Sequence, residues 1–189
     1  MRRWLRQLPN LISLIRILLV VPIGLTLAHH RFGSTLWLFG AAAASDAVDG
    51  FLARRFGWRT ELGGMLDPLA DKLMIATVFV MLAFLGAVPV WLTAAVLARD
   101  GIIVSGAVSY RVLVGPVEAR PSVVSKLNTA FQVIFVLAVI AAEQYSWPPP
   151  WFVLGLGALV LVTVVISGID YVLVYGRLAA RRHTRSDPT

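Results

Sequence analysis

Six apolar runs, at about 10–29, 34–56, 62–86, 88–112, 121–143 and 149–176, follow one another along 189 residues with short breaks between them. A helix rises about 1.5 Å per residue, so roughly 20 apolar residues cross a hydrocarbon core of about 30 Å. The breaks "HHRFG", "RRFGWRTE", "GAVP", "RVLVGPVEARP" and "SWPPP" concentrate the glycines, prolines and charges that end helices. The pattern predicts an all-α integral membrane protein with six transmembrane helices. Composition agrees, with 58% hydrophobic and 14% charged residues against about 25% charged in a soluble globule. Cysteine is absent, which excludes disulfides and thiolate metal sites.

Basic residues fall on alternate breaks. One side holds Arg2, Arg3 and Arg6, then Arg54, Arg55 and Arg59, then Arg111, Arg120 and Lys126, and the tail from Arg177 to Arg185. The other side holds Arg31, with Glu143 leaning the opposite way. Positively charged segments stay in the cytoplasm, so both termini are expected there. Residues 1–9 are expected as a short amphipathic lead-in, 10–177 as a six-helix domain and 178–189 as a basic, disordered cytoplasmic tail. No Arg/Ser-rich transit segment precedes the first run, which favours a bacterial inner membrane. The net charge of +7 then serves topology and anionic headgroups, with no nucleic-acid partner expected. Trp37, Trp91, Trp147 and Trp151 fit an interfacial belt on the outer side.

Against this background the stretch "SDAVDGFLARRFGWRTELGGMLDPLADK" is costly, because it carries Asp46, Asp49, Asp67 and Asp71. An ionised carboxylate at bilayer depth costs roughly 2.5–3.5 kcal/mol on insertion scales. Four of them require a counter-charge or a water-filled cavity. The spacings i,i+3 and i,i+4 put each pair on one helical face. The short break between helices 2 and 3 predicts antiparallel neighbours, with an active-site cavity at their cytoplasmic ends. Carboxylates converging there suit a hard divalent cation, Mg²⁺ or Mn²⁺, which leaves positions for water and substrate phosphates. Gly50, Ala53 and Gly63 let a flat ligand approach the backbone, and Arg54 is placed to clamp a phosphate. Pro68 is expected in a first helical turn, where its missing N–H has no partner anyway. Taken singly, these residues read equally as caps, close packing or topology signals; together they describe a site. On helix 1, Asn10, Ser13 and Arg16 share a face, either reaching the nucleotide and its phosphates or anchoring at the interface. Asp100 is expected to pair with Arg99 or to cap local structure.

The spacing Asp46-x2-Asp49-Gly50-x2-Ala53-Arg54-x8-Gly63-x3-Asp67-x3-Asp71 resembles, without a departure, the signature of the CDP-alcohol phosphotransferase (CDP-alcohol phosphatidyltransferase) family. At ordinary residue usage the eight fixed positions match by chance about once in 10⁹ starts, so the signal is specific. The resemblance spans about residues 8–176. It implies a six-helix enzyme, homodimeric, that moves a phosphatidyl group from CDP-diacylglycerol to an alcohol and releases CMP. By the same resemblance Asp46, Asp49, Asp67 and Asp71 hold two Mg²⁺ or Mn²⁺ ions, and Asp71 is also the general base. Gly50, Ala53 and Gly63 would shape the cytidine pocket, with Arg54 on the diphosphate and Asn10 and Ser13 beside it. "LARDGIIVSGAVSYR" and "RPSVVSKLNTAFQ" look like the CMP-forming cardiolipin synthase branch, whereas "SGIDY" looks like the phosphatidylglycerophosphate synthases. The expected acceptor is phosphatidylglycerol, with glycerol 3-phosphate as the alternative. Arg99, Arg120 and Lys126 are the acceptor-side cations. A transporter or channel is the non-enzyme alternative; it would spread acids across the bilayer depth, whereas these share one depth.

Overall fold

The computed structural model describes residues 8–56, 61–114 and 123–183, with side chains over 14–46, 70–106 and 124–171. Its elements are α1 (Leu8–Ala28), α2 (Phe32–Phe56), α3 (Glu61–Phe84), α4 (Val90–Val114), α5 (Val123–Tyr145) and α6 (Pro150–His183). Every end but one lies within two residues of the boundary expected from hydropathy. The exception is α6, which passes Gly176 and continues to His183, so 178–183 are helical and not part of an irregular tail. Arg-Leu-Ala-Ala-Arg-Arg follows Gly176, and these are strong helix formers whose basic side chains suit a helix C-terminus. One glycine there costs too little to stop the helix.

The turns form where the breaks were expected. After α3, Gly86 takes a φ of +75°. Its N–H donates to the Ala83 carbonyl at 3.1 Å, and the Ala87 N–H donates to Leu82 at 2.9 Å. That pair is a Schellman closure, which requires a left-handed residue at the position Gly86 fills. Between α1 and α2, Thr35 is fully buried and its hydroxyl donates to that of Thr26 at 2.9 Å. Pro150 opens α6, where a missing N–H is harmless.

The helices close into a ring in the order α1, α2, α5, α6, α4, α3, and α3 also reaches across to α5. This order corrects one expectation. Among the described residues α2 and α3 do not pack on each other; α1 lies between them and packs most extensively on α3. A short connection limits how far apart two helix ends can be, but it leaves room for a third helix to wedge in. Ile23, Leu27, Phe39, Val78, Phe79, Leu82, Val96, Val136, Ile140 and Val160 fill the ring without exposure. Phe79 stacks on Phe135 with ring centroids 5.9 Å apart.

Polarity is inverted relative to a soluble bundle. Leu18, Val21, Leu25, Leu154, Val162 and Ile169 face outward, while Arg16, Arg99, Asn128, Gln132 and Ser167 are buried. Water would reverse both assignments, so the surrounding solvent is apolar. Two stretches of the described residues, Val124–Tyr145 and Pro150–Tyr171, are long and apolar enough to cross a membrane on length and composition. Trp37, Trp91, Trp147 and Trp151 are all exposed, at the end of the bundle where α1 meets α2, α3 meets α4 and α5 meets α6.

Candidate active site

At the opposite end, the stripes that supply the core change to polar residues at one level. On α1, Arg16 lies seven residues before Ile23; on α2, Asp46 lies seven after Phe39; on α3, Asp71 lies three before Met74. These separations keep each charged residue on the core-facing stripe of its helix, so three charges point inward together. Arg16 is 2% exposed. Its Nη2 meets Asp46 Oδ1 at 2.9 Å and its Nη1 donates to Asp71 Oδ1. One guanidinium therefore gathers the carboxylates of α2 and α3 from the helix wedged between them. The carboxylate side chains keep 44% and 27% exposure while that of Arg16 keeps 3%, so the junction is closed on the α1 side and open beyond it.

A second polar cluster ties the other side of the ring. Arg99, 5% exposed, donates from Nε to Ser167 Oγ at 2.8 Å, from Nη1 to Asp100 Oδ1 at 2.7 Å and from Nη2 to Ser125 Oγ at 2.7 Å. Lys72 Nζ reaches the same Asp100 oxygen at 2.9 Å. Successive helical residues point about 100° apart, so Asp71 turns to α1 while Lys72 turns to α4. The expected Arg99–Asp100 pair is present and belongs to a four-helix junction. Nearby, Thr163 Oγ1 donates to Asn128 Oδ1 at 2.9 Å. Asn128 Nδ2, Gln132 Nε2 and Arg16 Nε are buried without a protein partner. Such orphaned donors are the usual seats of internal water or of a ligand.

The expected site residues divide accordingly. Asp46 and Asp71 are brought together. Asp49, Gly50, Ala53 and Arg54 lie on α2, Gly63 and Asp67 on α3, and Asn10 and Ser13 on α1; their side chains lie outside the described residues. Arg120 lies outside the described residues altogether. Among the described residues, no three acidic or histidine side chains form a group that could hold a metal. Lys126 is exposed on α5, whereas Arg99 is committed to the junction just described. Pro68 is the eighth residue of α3, beyond the first turn where it was expected. Its missing N–H removes the bond that the Gly64 carbonyl would otherwise accept. Arg16 was legible in the sequence only as one of three polar residues on helix 1. The signal that could have promoted it is its charge: a cation inside an apolar run needs an anion beside it.

A divalent cation fits the residues present. Two carboxyl groups share one guanidinium, and the donors on offer are hard oxygens that stay partly exposed. Asp46 and Asp71 would hold such an ion. An apolar groove of about 740 Å³, lined by Trp91, Phe135, Glu143 and Leu154 among others, lies at the other end of the bundle, away from this chemistry.

A helical bundle with an apolar outer face and an acidic junction gathered at one end has the build of a membrane protein. The family model described as CDP-alcohol phosphatidyltransferase matches residues 6–169, and the chain belongs to that family. It is 32% identical over 186 residues to the human "Cardiolipin synthase (CMP-forming)", covering 90% of this chain and 62% of that protein. It is 33% identical over 182 residues to the "Probable phosphatidylglycerophosphate synthase" of Mycobacterium tuberculosis, covering 90% of this chain and 82% of the relative. A rice relative, "CDP-diacylglycerol--glycerol-3-phosphate 3-phosphatidyltransferase 1, chloroplastic", is 28% identical over 93% of this chain and 59% of its own length. The chain thus spans about three fifths of the human and rice proteins, at 62% and 59%.

Proposed function

We propose that this protein transfers the phosphatidyl group of CDP-diacylglycerol to a hydroxyl of phosphatidylglycerol, giving cardiolipin and CMP. The observation that carries the reading is the meeting of Asp46 and Asp71, the first and last acids of the signature, on one buried guanidinium. The acceptor hydroxyl oxygen attacks the phosphorus that bears diacylglycerol. The bond from that phosphorus to the bridging oxygen breaks, and CMP leaves with the electron pair. Asp71 accepts the hydroxyl proton, which requires the acceptor within about 3 Å of its carboxylate. Asp46, Asp49, Asp67 and Asp71 would hold the Mg²⁺ or Mn²⁺ ions, two of them, that the family resemblance implies. When bound, these ions neutralise charge on the diphosphate and the departing CMP. Gly50, Ala53 and Gly63 admit the cytidine, Arg54 binds the diphosphate, and Asn10 and Ser13 flank it. Lys126 and Arg120 bind the acceptor phosphodiester, and Arg99 holds Ser125 on the helix that carries Lys126. All six helices span the membrane, with both termini and the acidic end in the cytoplasm. The enzyme works as a homodimer in a bacterial inner membrane.

Glycerol 3-phosphate as acceptor is the second reading, favoured by the names of the Mycobacterium tuberculosis and rice relatives. Purified protein with CDP-diacylglycerol and either phosphatidylglycerol or glycerol 3-phosphate decides between them by the lipid formed. Cardiolipin from the first mixture supports the proposal, and product from the second mixture alone overturns it.

A further inference from the structure

We infer that Arg16 is the resident counter-cation of the acidic junction: it positions Asp46 and Asp71 before a metal arrives and competes with the metal for them. The inference rests on the reading of these carboxylates as metal ligands. Three features carry it. Arg16 is the charge that the wedged helix brings between α2 and α3, which share no packing of their own among the described residues. Its two terminal nitrogens are divided between the two carboxylates, one each. The two carboxylate side chains keep 44% and 27% exposure, so a second cation can reach them while the guanidinium stays in place.

A guanidinium divided this way does two opposed things. It keeps two like charges together that would otherwise repel, so the ligands are already close when the ion comes. It also places a fixed positive charge beside a doubly charged ion. Coulomb repulsion at a few ångströms, with an effective dielectric near 20, opposes the benefit of preorganisation, and the Mn²⁺ affinity reads their balance. A planar fork can hold both carboxylates at once, whereas an ammonium is a single point. Arg16 touches no reacting atom on this account and is a positioning residue.

The test uses the full chain purified in lipid nanodiscs, with Mn²⁺ as the probe. Arg16→Gln is expected to bind Mn²⁺ about tenfold more tightly than the wild type, since a competing charge has gone. Without metal it should unfold at a lower temperature than the wild type, and saturating Mn²⁺ should remove most of that deficit. Its kcat should fall while the Mn²⁺ concentration needed for half-maximal rate also falls, because Asp71 is held less well. Arg16→Lys keeps the charge, so its Mn²⁺ affinity should stay within about threefold of the wild type. An Arg16→Gln affinity that is unchanged or weaker overturns the inference, as does a stability deficit that Mn²⁺ leaves untouched. Should Arg16→Gln not fold, Arg16→Met, also neutral and close in volume, takes its place: tighter Mn²⁺ binding with a stability deficit that Mn²⁺ removes supports the inference, and an unchanged or weaker affinity overturns it. A wild type that binds no Mn²⁺ refutes the metal reading itself, a separate result.

Discussion

Replacing Arg99 with methionine removes one buried cation and keeps most of its volume, so it isolates the electrostatic contribution of the second junction. Arg99 donates to Asp100, Ser125 and Ser167 at 2.7, 2.7 and 2.8 Å, joining α4 to α5 and α6. Breaking a buried pair by removing one partner costs about 3–5 kcal/mol when the other charge is stranded. Asp100 is not stranded here, because Lys72 stays 2.9 Å away and the carboxylate is 18% exposed. Two serine hydroxyls lose a charged donor, and Ser167 keeps its own donation to the Val164 carbonyl at 3.2 Å. The expected cost is therefore near the lower end, about 3 kcal/mol. At about 2–4 °C per kcal/mol for a chain of this size, the unfolding temperature should fall by roughly 6–12 °C. Far-UV circular dichroism of detergent-solubilised protein measures it. A shift smaller than about 2 °C would mean that the junction contributes nothing net, contrary to the cost of orphaning buried partners.

Asp71→Asn should retain the fold but lose about 10²–10⁴-fold in turnover, the usual range for removing a general base; CMP release and a wild-type-like dichroism spectrum check both halves. Chelation with EDTA should abolish CMP release, and either Mg²⁺ or Mn²⁺ should restore it; undiminished release in EDTA would refute the metal reading. Phe79→Ala, which empties a fully buried position stacked on Phe135, should cost about 3–5 kcal/mol as a cavity, measurable in the same melts. Gly157→Val should destabilise by about 1–3 kcal/mol through overpacking, because even a Cβ there would come within 3.2 Å of Phe135.

Helix positions were legible in the sequence because what sets them is local. Hydropathy marks each apolar run, and the residues of "HHRFG", "GAVP" and "SWPPP" stop the helices by their own backbone chemistry. The acidic signature was legible for the same reason, since spacing along a helix determines which side chains share a face. Periodicity does not say which helix that face will meet. Only the ring order decided that α1 lies against both α2 and α3 among the described residues, and so that Asp46 and Asp71 meet through Arg16, 55 positions from Asp71. The same order turned an expected local pair, Arg99 with Asp100, into a junction that also takes in Lys72, Ser125 and Ser167. Among the described residues α2 and α3 share no packing, because a short connection constrains two helix ends and not the packing along their lengths. Local chemistry made the helices and chose their polar faces; burying those charges in an apolar surrounding is a property of the whole bundle, and the packed ring alone supplies each charge with its partner.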